Sequence, residues 1–83
     1  MTDIQKSHTI TLRVLDRPGV LVRVAQVFTR RGFNIDALDV KPVPGANKQA
    51  DIVIKARGDN ELLHQITSQL QKIINVLSVN SKV

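Results

Sequence analysis

The sequence predicts an α+β fold in which two helices cover one face of a four-stranded antiparallel sheet, in the chain order βαββαβ. Four segments carry apolar residues at every second position, the period of a half-buried strand, and two longer segments carry them at helical spacing. Glycine and proline separate most of these segments. With 83 residues, 42% of them hydrophobic, the chain has the size and composition of one small globular domain.

The first strand is predicted over residues 8–15, and the first helix over residues 20–31. In the strand, apolar residues alternate with threonine and arginine at Ile10, Leu12 and Val14. His8, alone at the start of this strand, is expected on the surface. In the helix, Phe28 is expected in the core, and Gly32 is expected to end the helix in a left-handed conformation.

The next two strands are predicted to form a β-hairpin. The first covers residues 33–43, with Leu38 and Val40 facing the core, and the second covers residues 50–56. A turn of residues 44–48 joins them. Two prolines near the end of the first of these strands cannot donate a backbone hydrogen bond, which places that strand at an edge of the sheet.

The last two elements are a helix over residues 60–74, with Asp59 as its N-cap, and a short strand over residues 76–80. The apolar stripe of this helix consists of Leu63, Ile66, Leu70, Ile73 and Ile74. Residues 1–7 are polar and are expected to form a flexible leader, which leaves residues 8–81 as a single domain.

The predicted order of elements is the split βαβ arrangement, also called ferredoxin-like. Right-handed crossovers give the spatial strand order four-one-three-two, with both helices on one face of the sheet. The second strand then lies at an exposed edge, which invites pairing with another chain. Two copies joined there would form a continuous eight-stranded sheet with two-fold symmetry, so a homodimer is expected.

Residues 16–21, with the pair 34–35, are predicted to bind a small polar ligand, an amino acid being the leading candidate. A helix start leaves backbone N–H groups unpaired and carries about half a positive charge, so it attracts a carboxylate. Pro18 suits a first helical turn, and Gly19 lets a ligand approach the backbone closely. Asp16 is expected either to cap the helix or to face the ammonium group of the ligand. The same residues also fit a plain turn leading into a helix.

Composition bounds the function classes. The chain has no cysteine, which excludes disulfides and thiolate metal sites, and no residues stand at metal-ligand spacing, so no metal is expected. No apolar run is long enough to cross a membrane, and the first residues lack the apolar segment of a signal peptide. A cytoplasmic protein is therefore expected. The net charge of +5 is spread among interspersed acids instead of forming a basic tract.

Two other functions of this topology are disfavoured by the residues present. An RNA-recognition module stacks bases on aromatic residues of its middle strands. Here tyrosine and tryptophan are absent, and the residues predicted to face outward on those strands are Thr11, Arg13, Val53 and Lys55. An acylphosphatase-like hydrolase would use an arginine and an asparagine, for which Arg17 and Asn34 are suitable, but no base or nucleophile accompanies them.

Two segments carry a resemblance to a known family: Asp16-Arg17-Pro18-Gly19-Val20-Leu21 and Phe28-Thr29-Arg30-Arg31-Gly32-Phe33-Asn34-Ile35. They resemble the ACT domain, and more narrowly that of the small regulatory subunit of acetolactate synthase (acetohydroxyacid synthase). In that family a Pro-Gly or Ser-Gly helix start is followed by a Phe-x-Arg-Arg-Gly-Phe/Tyr-Asn-Ile segment. The resemblance extends over residues 8–80.

The resemblance implies a non-catalytic regulatory subunit that binds a branched-chain amino acid (valine, leucine or isoleucine) at a dimer interface. It implies that the amides of Gly19, Val20 and Leu21 hold the ligand's carboxylate, and that Asn34 and Ile35 of the other subunit complete the site. No cofactor is expected in this chain, because the thiamine-dependent catalysis would belong to a large subunit that this one controls.

Two features depart from the family's usual pattern. Many members carry asparagine where this chain has Asp16, and an ionised aspartate cannot donate a hydrogen bond to a carboxylate. Asp16 would then face the ammonium group, or the ligand would differ. Many members are also about twice as long, with a second domain. A lone ACT protein that senses another small ligand therefore stays open as an alternative.

Overall fold

The computed structural model describes residues 6–45 and 47–82. Its six elements are β1 (Lys6–Leu15), α1 (Val20–Arg30), β2 (Asn34–Pro42), β3 (Gln49–Gly58), α2 (Asn60–Gln71) and β4 (Val76–Lys82). This is the βαββαβ order predicted from the sequence, with β1 beginning earlier and β4 ending later than predicted. Of the predicted leader, residues 1–5 lie outside the described residues, and the remaining two belong to β1.

The four strands form one antiparallel sheet in the order β2-β3-β1-β4, which confirms the predicted topology and places β2 at an edge. β1 and β3 are the central strands, and their registered pairs Ile10–Ile54 and Leu12–Ile52 put apolar side chains in rows toward the helices. Phe28 of α1 is fully buried against this layer, as predicted. The helices supply most of the remaining core, with Val20, Val24, Leu63, Ile66 and Leu70.

A β-bulge interrupts the edge strand β2. Ile35 pairs with Ala56, and Ala37 pairs with Lys55, so Asp36 lies between two paired residues and has no partner of its own on β3. In a regular strand, residues on one face are an even number of positions apart, but Ile35 and Leu38 are three apart. The extra residue shifts the alternation by one position, so both side chains pack against the core. The inward orientation predicted for Leu38 is therefore correct, but the bulge that makes it compatible with Ile35 has no clear sequence signal.

The end of α1 and the start of α2 agree with the termini predicted from the sequence, and the end of α2 does not. Gly32 follows α1 with a φ of +73°, the left-handed conformation predicted for it. Asp59 caps α2 by accepting a hydrogen bond of 2.7 Å from the amide of Leu62, also as predicted. The predicted end of α2 is wrong: the helix stops at Gln71, and Ile74 is 72% exposed. A turn ending in a left-handed Asn75 lies between α2 and β4, and no glycine or proline marks it in the sequence.

The surface position predicted for His8 is wrong. Its side chain is buried, and its Nε2 lies 3.0 Å from the carbonyl oxygen of Gly58. The ring meets Phe33 edge to face, with 6.0 Å between ring centroids. The physical reason is the period of two itself: His8 stands on the same face of β1 as Ile10, so it faces the core. Its Nδ1 has no hydrogen-bond partner among the described residues.

Candidate functional site

The loop between β1 and α1 is held in place by two backbone hydrogen bonds, one from the last residue of β1 and one from the first residue of the loop. The amide of Leu15 donates to the carbonyl of Asn75 at 2.8 Å, and the amide of Asp16 donates to the carbonyl of Lys48 at 2.7 Å. One acceptor lies in the turn before β4, and the other in the turn between β2 and β3. The loop is therefore fixed from both sides by neighbouring turns, which positions the start of α1.

The N-terminus of α1 lacks the capping that α2 has. Its N-cap is Gly19, which makes no side-chain cap hydrogen bond, and its first turn contains no acidic residue. In α2, Asp59 caps the helix and Glu61 adds a negative charge in the first turn. The prediction that Asp16 caps α1 is therefore wrong, because the helix begins only at Val20, four residues beyond it. Unlike α2, α1 presents its positive end without a hydrogen-bonded carboxylate from any of the described residues.

The backbone at Gly19 turns successive amides toward one side. Gly19 has a φ of +85° and a ψ of −10°, and Val20, the first residue of α1, follows it. A left-handed residue next to a right-handed one makes a concave group of N–H donors that suits an anion. Within the described residues the amides of Gly19 and Leu21 donate to no carbonyl, whereas the amide of Val20 donates to Arg17 at 3.3 Å. Two of the three amides predicted to hold a carboxylate are thus available to one.

A cavity of about 120 Å³ opens beside this helix start, between α1 and the β2–β3 side of the sheet. Its polar lining comes from Asp16, Arg17 and the backbone at Gly19. Its apolar lining comes from Val14, Leu15, Val20, Leu21, Val22, Val40, Ala50 and Ile52. Pockets for drug-sized ligands hold roughly 300–1,000 Å³, so this one suits only a small ligand. An apolar lining with a few converging polar groups is the usual form of such a site.

Val40 shows that this cavity is open toward the sheet edge. It faces the same side of the sheet as its partner Ile52, as predicted, yet it is 47% exposed because none of the six described elements covers it. Leu21 and Val22, at the start of α1, are also exposed. The cavity therefore opens onto an apolar surface made by Val40 of β2 and by Leu21 and Val22 of α1.

A second cavity, of about 210 Å³, lies on the other side of Gly19. It is lined by Pro18, Gly19, Val20, Arg23, Ile74 and Asn75. Pro18 lies before the helix, not in its first turn as predicted. This cavity lies beside the turn before β4, and its apolar side chains include the exposed Ile74. The first cavity has more apolar side chains in its lining together with the Asp16 carboxylate, so it is the better candidate for an amphipathic ligand.

Within one chain, the six predicted site residues form two separate groups. Asp16, Gly19, Val20 and Leu21 line the first cavity. Asn34 and Ile35 line neither cavity and lie at the opposite end of β2 from Val40. Six residues of extended strand span roughly 20 Å, so the two groups do not meet in a monomer.

Sequence reasoning missed the polar contacts made by Asn34. Its Nδ2 donates to Oδ1 of Asp36 at 2.9 Å. Arg57 binds the same carboxylate through two hydrogen bonds, Nε to Oδ2 at 2.9 Å and a terminal nitrogen to Oδ1 at 3.0 Å. The hairpin register, which pairs Asn34 with Arg57, is a signal that could have placed the arginine here, but the bulge at Asp36 could not be predicted.

A second ion pair joins the central strands. Arg13 binds both oxygens of Asp51, at 2.9 and 3.0 Å. The hydrogen bond and the charge of the guanidinium hold the pKa of the Asp51 carboxyl below its ordinary value near 3.8. Neither residue lines the cavity beside α1. Arg13, which was predicted to face outward, is thus engaged in an ion pair on the exposed face of the sheet.

The described residues also bear on two other classes of function. Both phenylalanines, Phe28 and Phe33, are buried, and they are the chain's whole complement of Phe, Tyr and Trp. Neither can stack on a nucleic-acid base from the sheet. In residues 6–45 and 47–82, no group of three or more His, Cys, Asp or Glu side chains is placed to hold a metal ion. Neither described helix is long and apolar enough to cross a bilayer.

The topology and the uncapped helix start beside a small cavity place the chain among ferredoxin-like domains of the ACT type. The model of the AHAS small subunit-like ACT domain matches residues 10–78. The chain belongs to this family. This confirms the resemblance found in the two sequence segments.

Individual relatives agree with this assignment. The chain is 49% identical over 75 residues to a probable acetolactate synthase small subunit of Methanothermobacter thermautotrophicus, covering 88% of the chain and 43% of the relative. It is 43% identical over 74 residues to the acetolactate synthase small subunit of Mycobacterium bovis, covering 89% and 44%. The crystal structure of the small subunit from Thermotoga maritima superposes with a TM-score of 0.80 at 33% identity, covering 92% and 47%. The chain thus spans less than half the length of these relatives.

Proposed function

We propose that this chain is a regulatory domain that binds a branched-chain amino acid, valine first, and thereby controls the catalytic large subunit of acetolactate synthase. The observation that carries the proposal is the uncapped N-terminus of α1, which opens onto a small and mainly apolar cavity. Membership of the family supports the class of ligand and the partner. The runner-up, a lone ACT protein with another small ligand, would use the same site.

The chemistry of the cavity suits the three parts of an aliphatic amino acid. The amides of Gly19 and Leu21, at the positive end of α1, would receive the carboxylate. The carboxylate of Asp16 lines the cavity and would attract the ammonium group. The branched side chain would contact Val20 and Val40, whose apolar surfaces face the same space. In this arrangement Asp16 attracts the ammonium group by its negative charge, which a neutral asparagine could not do.

The exposed edge of β2 supports a dimer that completes the site. In an antiparallel pairing of two β2 strands, the start of one strand lies opposite the end of the other. Asn34 and Ile35 of a second copy would thus approach Val40 and the cavity of the first. The same contact would cover the apolar surface of Val40, Leu21 and Val22. Two equivalent sites per dimer follow from two-fold symmetry.

The mechanism proposed for regulation needs no chemistry in this chain. A ligand held between two subunits binds best to one relative orientation of them, and it stabilises that orientation by its difference in affinity. Coupling between effector and partner typically amounts to about 1–3 kcal/mol. The cytoplasmic location expected from the sequence stays a prediction.

Substitution of Gly19 tests the carboxylate site. A Cβ added at Gly19 meets no atom within 4 Å, so the cost of a side chain is that of the left-handed backbone alone. Asparagine and aspartate tolerate that conformation best, and they have the same shape. In calorimetric titrations with valine, Gly19→Asn should weaken binding. Gly19→Asp should abolish it, because its carboxylate would occupy the amides and repel that of the ligand.

Gly45→Asp is the matched control, since Gly45 is also left-handed and open and lies in the turn between β2 and β3. It should bind valine as the wild type does. Leucine, isoleucine and serine are titrated in parallel, and a thermal-shift assay should report the same order of affinities. Equal valine affinities of the two Gly19 variants would reject the carboxylate site. A wild type that binds serine but none of the three branched amino acids would favour the runner-up.

Mixed dimers test whether the site is shared between subunits. Gly19→Asp damages one half of the site and Asn34→Ala the other. After random exchange of the two variants, half of the dimers are mixed, and each mixed dimer contains one intact site, so about a quarter of all sites should bind valine again. If both halves came from one chain, mixing would restore none.

A further inference from the structure

Three side chains are linked in a row where β2 begins beside the end of β3. Asn34 donates from Nδ2 to Oδ1 of Asp36, and Arg57 binds both oxygens of that carboxylate. A carboxylate accepts hydrogen bonds and does not donate them, so the amide of Asn34 must turn its nitrogen toward Asp36. Its carbonyl oxygen then points away from Asp36, and it accepts no hydrogen bond from the described residues.

The bulge makes this row possible. Asp36 is the extra residue of β2, without a partner on β3, and it is exposed together with Asn34 and Arg57. Bulges occur often at sheet edges and beside binding sites, where they redirect a side chain. The ion pair is about half exposed, and pairs of that kind contribute little to stability. Stability therefore gives a poor account of why a bulge, an ion pair and an asparagine meet here.

We propose that Asp36 and Arg57 are positioning residues that fix the side-chain amide of Asn34 so that its carbonyl oxygen accepts a hydrogen bond from the ligand's ammonium group. This inference rests on the proposed function. It adds the reason why Asn34 presents its oxygen, and not its nitrogen, to the ligand. The α1 end of the site offers N–H donors, which suit the carboxylate, and the charge of Asp16, which attracts the ammonium group. The β2 end adds a directed acceptor for the same ammonium group, so the two ends together select an α-amino acid in one orientation.

The sign of two charge changes separates positioning from a simple electric field. If Asp36 and Arg57 acted on the ammonium group directly, removing the negative Asp36 would weaken valine binding and removing the positive Arg57 would strengthen it. If they act through Asn34, both removals release the amide and both weaken binding. We expect Asp36→Ala and Arg57→Ala each to raise the Kd for valine about fivefold to tenfold.

A double-mutant cycle locates the effect in Asn34. Asn34→Ala should raise the Kd at least as much as either charge variant, and in that background Asp36→Ala should change it less than about twofold. Arg13→Ala and Asp51→Ala are matched controls, because that pair has the same two hydrogen bonds and a similar exposure. Both controls should bind valine as the wild type does.

A readout in the free protein keeps this inference separate from the proposed function. In nuclear magnetic resonance relaxation, the side-chain NH₂ of Asn34 should be ordered in the wild type and mobile in Asp36→Ala. Equal mobility in both would overturn the positioning role, whatever binds. A wild type that binds no amino acid would overturn the proposed function and the role given to the carbonyl oxygen. Tighter valine binding by Arg57→Ala would also overturn the positioning role. So would variants that lose affinity only because their dimers dissociate, as measured by sedimentation.

Discussion

Gly58 lies where β3 ends, and replacing it with alanine should destabilise the protein through a single steric contact. A Cβ at Gly58 would lie 2.7–2.9 Å from three carbons of the Phe33 ring. Carbon atoms in proteins pack at about 3.5–4.0 Å, so the ring or the backbone has to move. The ring is confined because it is buried and meets Phe28 edge to face, with 5.9 Å between centroids.

The size of the effect follows from two opposing terms. Overpacking of a well-packed core costs about 1–3 kcal/mol. Replacing glycine by alanine at an unstrained position returns about 0.4–1 kcal/mol, because it restricts the unfolded chain. Gly58 has no positive φ, so this gain applies. We therefore expect Gly58→Ala to lower the free energy of unfolding by about 1–2 kcal/mol, or roughly 5–15 °C in Tm for a domain of this size.

The assay is denaturant unfolding at one fixed protein concentration, since dimerisation would make stability depend on concentration. The midpoint should fall with an unchanged m-value. Phe33→Leu removes the obstructing ring, so the double variant should be more stable than the sum of the two single changes predicts. A Gly58→Ala variant as stable as the wild type would show that the ring moves freely and would refute the reasoning.

Three further changes test other parts of the fold. Phe28→Ala should lower the free energy of unfolding by about 3–5 kcal/mol in the same denaturant assay, since the side chain is fully buried; a loss below 1 kcal/mol would contradict its central position. Asp59→Ala should cost about 1 kcal/mol by freeing the amide of Leu62, with Asp59→Asn as a near-neutral control. Arg13→Ala should raise the pKa of the Asp51 carboxyl, measured by carbon-detected titration, and an unchanged pKa would show that the pair does not form in solution. Because the pKa of Asp51 is lowered in the folded protein, this pair stabilises the fold above the unfolded pKa, and the effect disappears as pH falls through the folded value.

The sequence predicted the features that are determined by residues close together in the chain. The alternation in β1 and β3, the left-handed Gly32 and the capping by Asp59 are set by neighbouring residues, and all four agree with the structure. His8 was misplaced because a general preference of histidine was given more weight than the period of the strand that contains it.

The features that could not be predicted depend on contacts between distant segments. The bulge at Asp36 is determined by how β2 registers on β3, and the end of α2 by a turn without glycine or proline. The site shows the same division. Its helix start was found from residues 16–21, whereas Val40 and the Asp36–Arg57 pair come from other strands and needed the folded chain.

The two hydrogen bonds that hold the β1–α1 loop also limit which substitutions can be tolerated far from it. The acceptors are the carbonyls of Lys48 and Asn75. Both residues have a left-handed backbone, with φ values of +54° and +78°, although neither is glycine. Both contacts use main-chain carbonyls, so the chemistry of the two side chains matters little and their backbone freedom matters most. Glycine, asparagine and aspartate are acceptable replacements, while β-branched residues would shift the carbonyls and, with them, the helix start. Variation at two remote turns is in this way restricted by the helix start that they support.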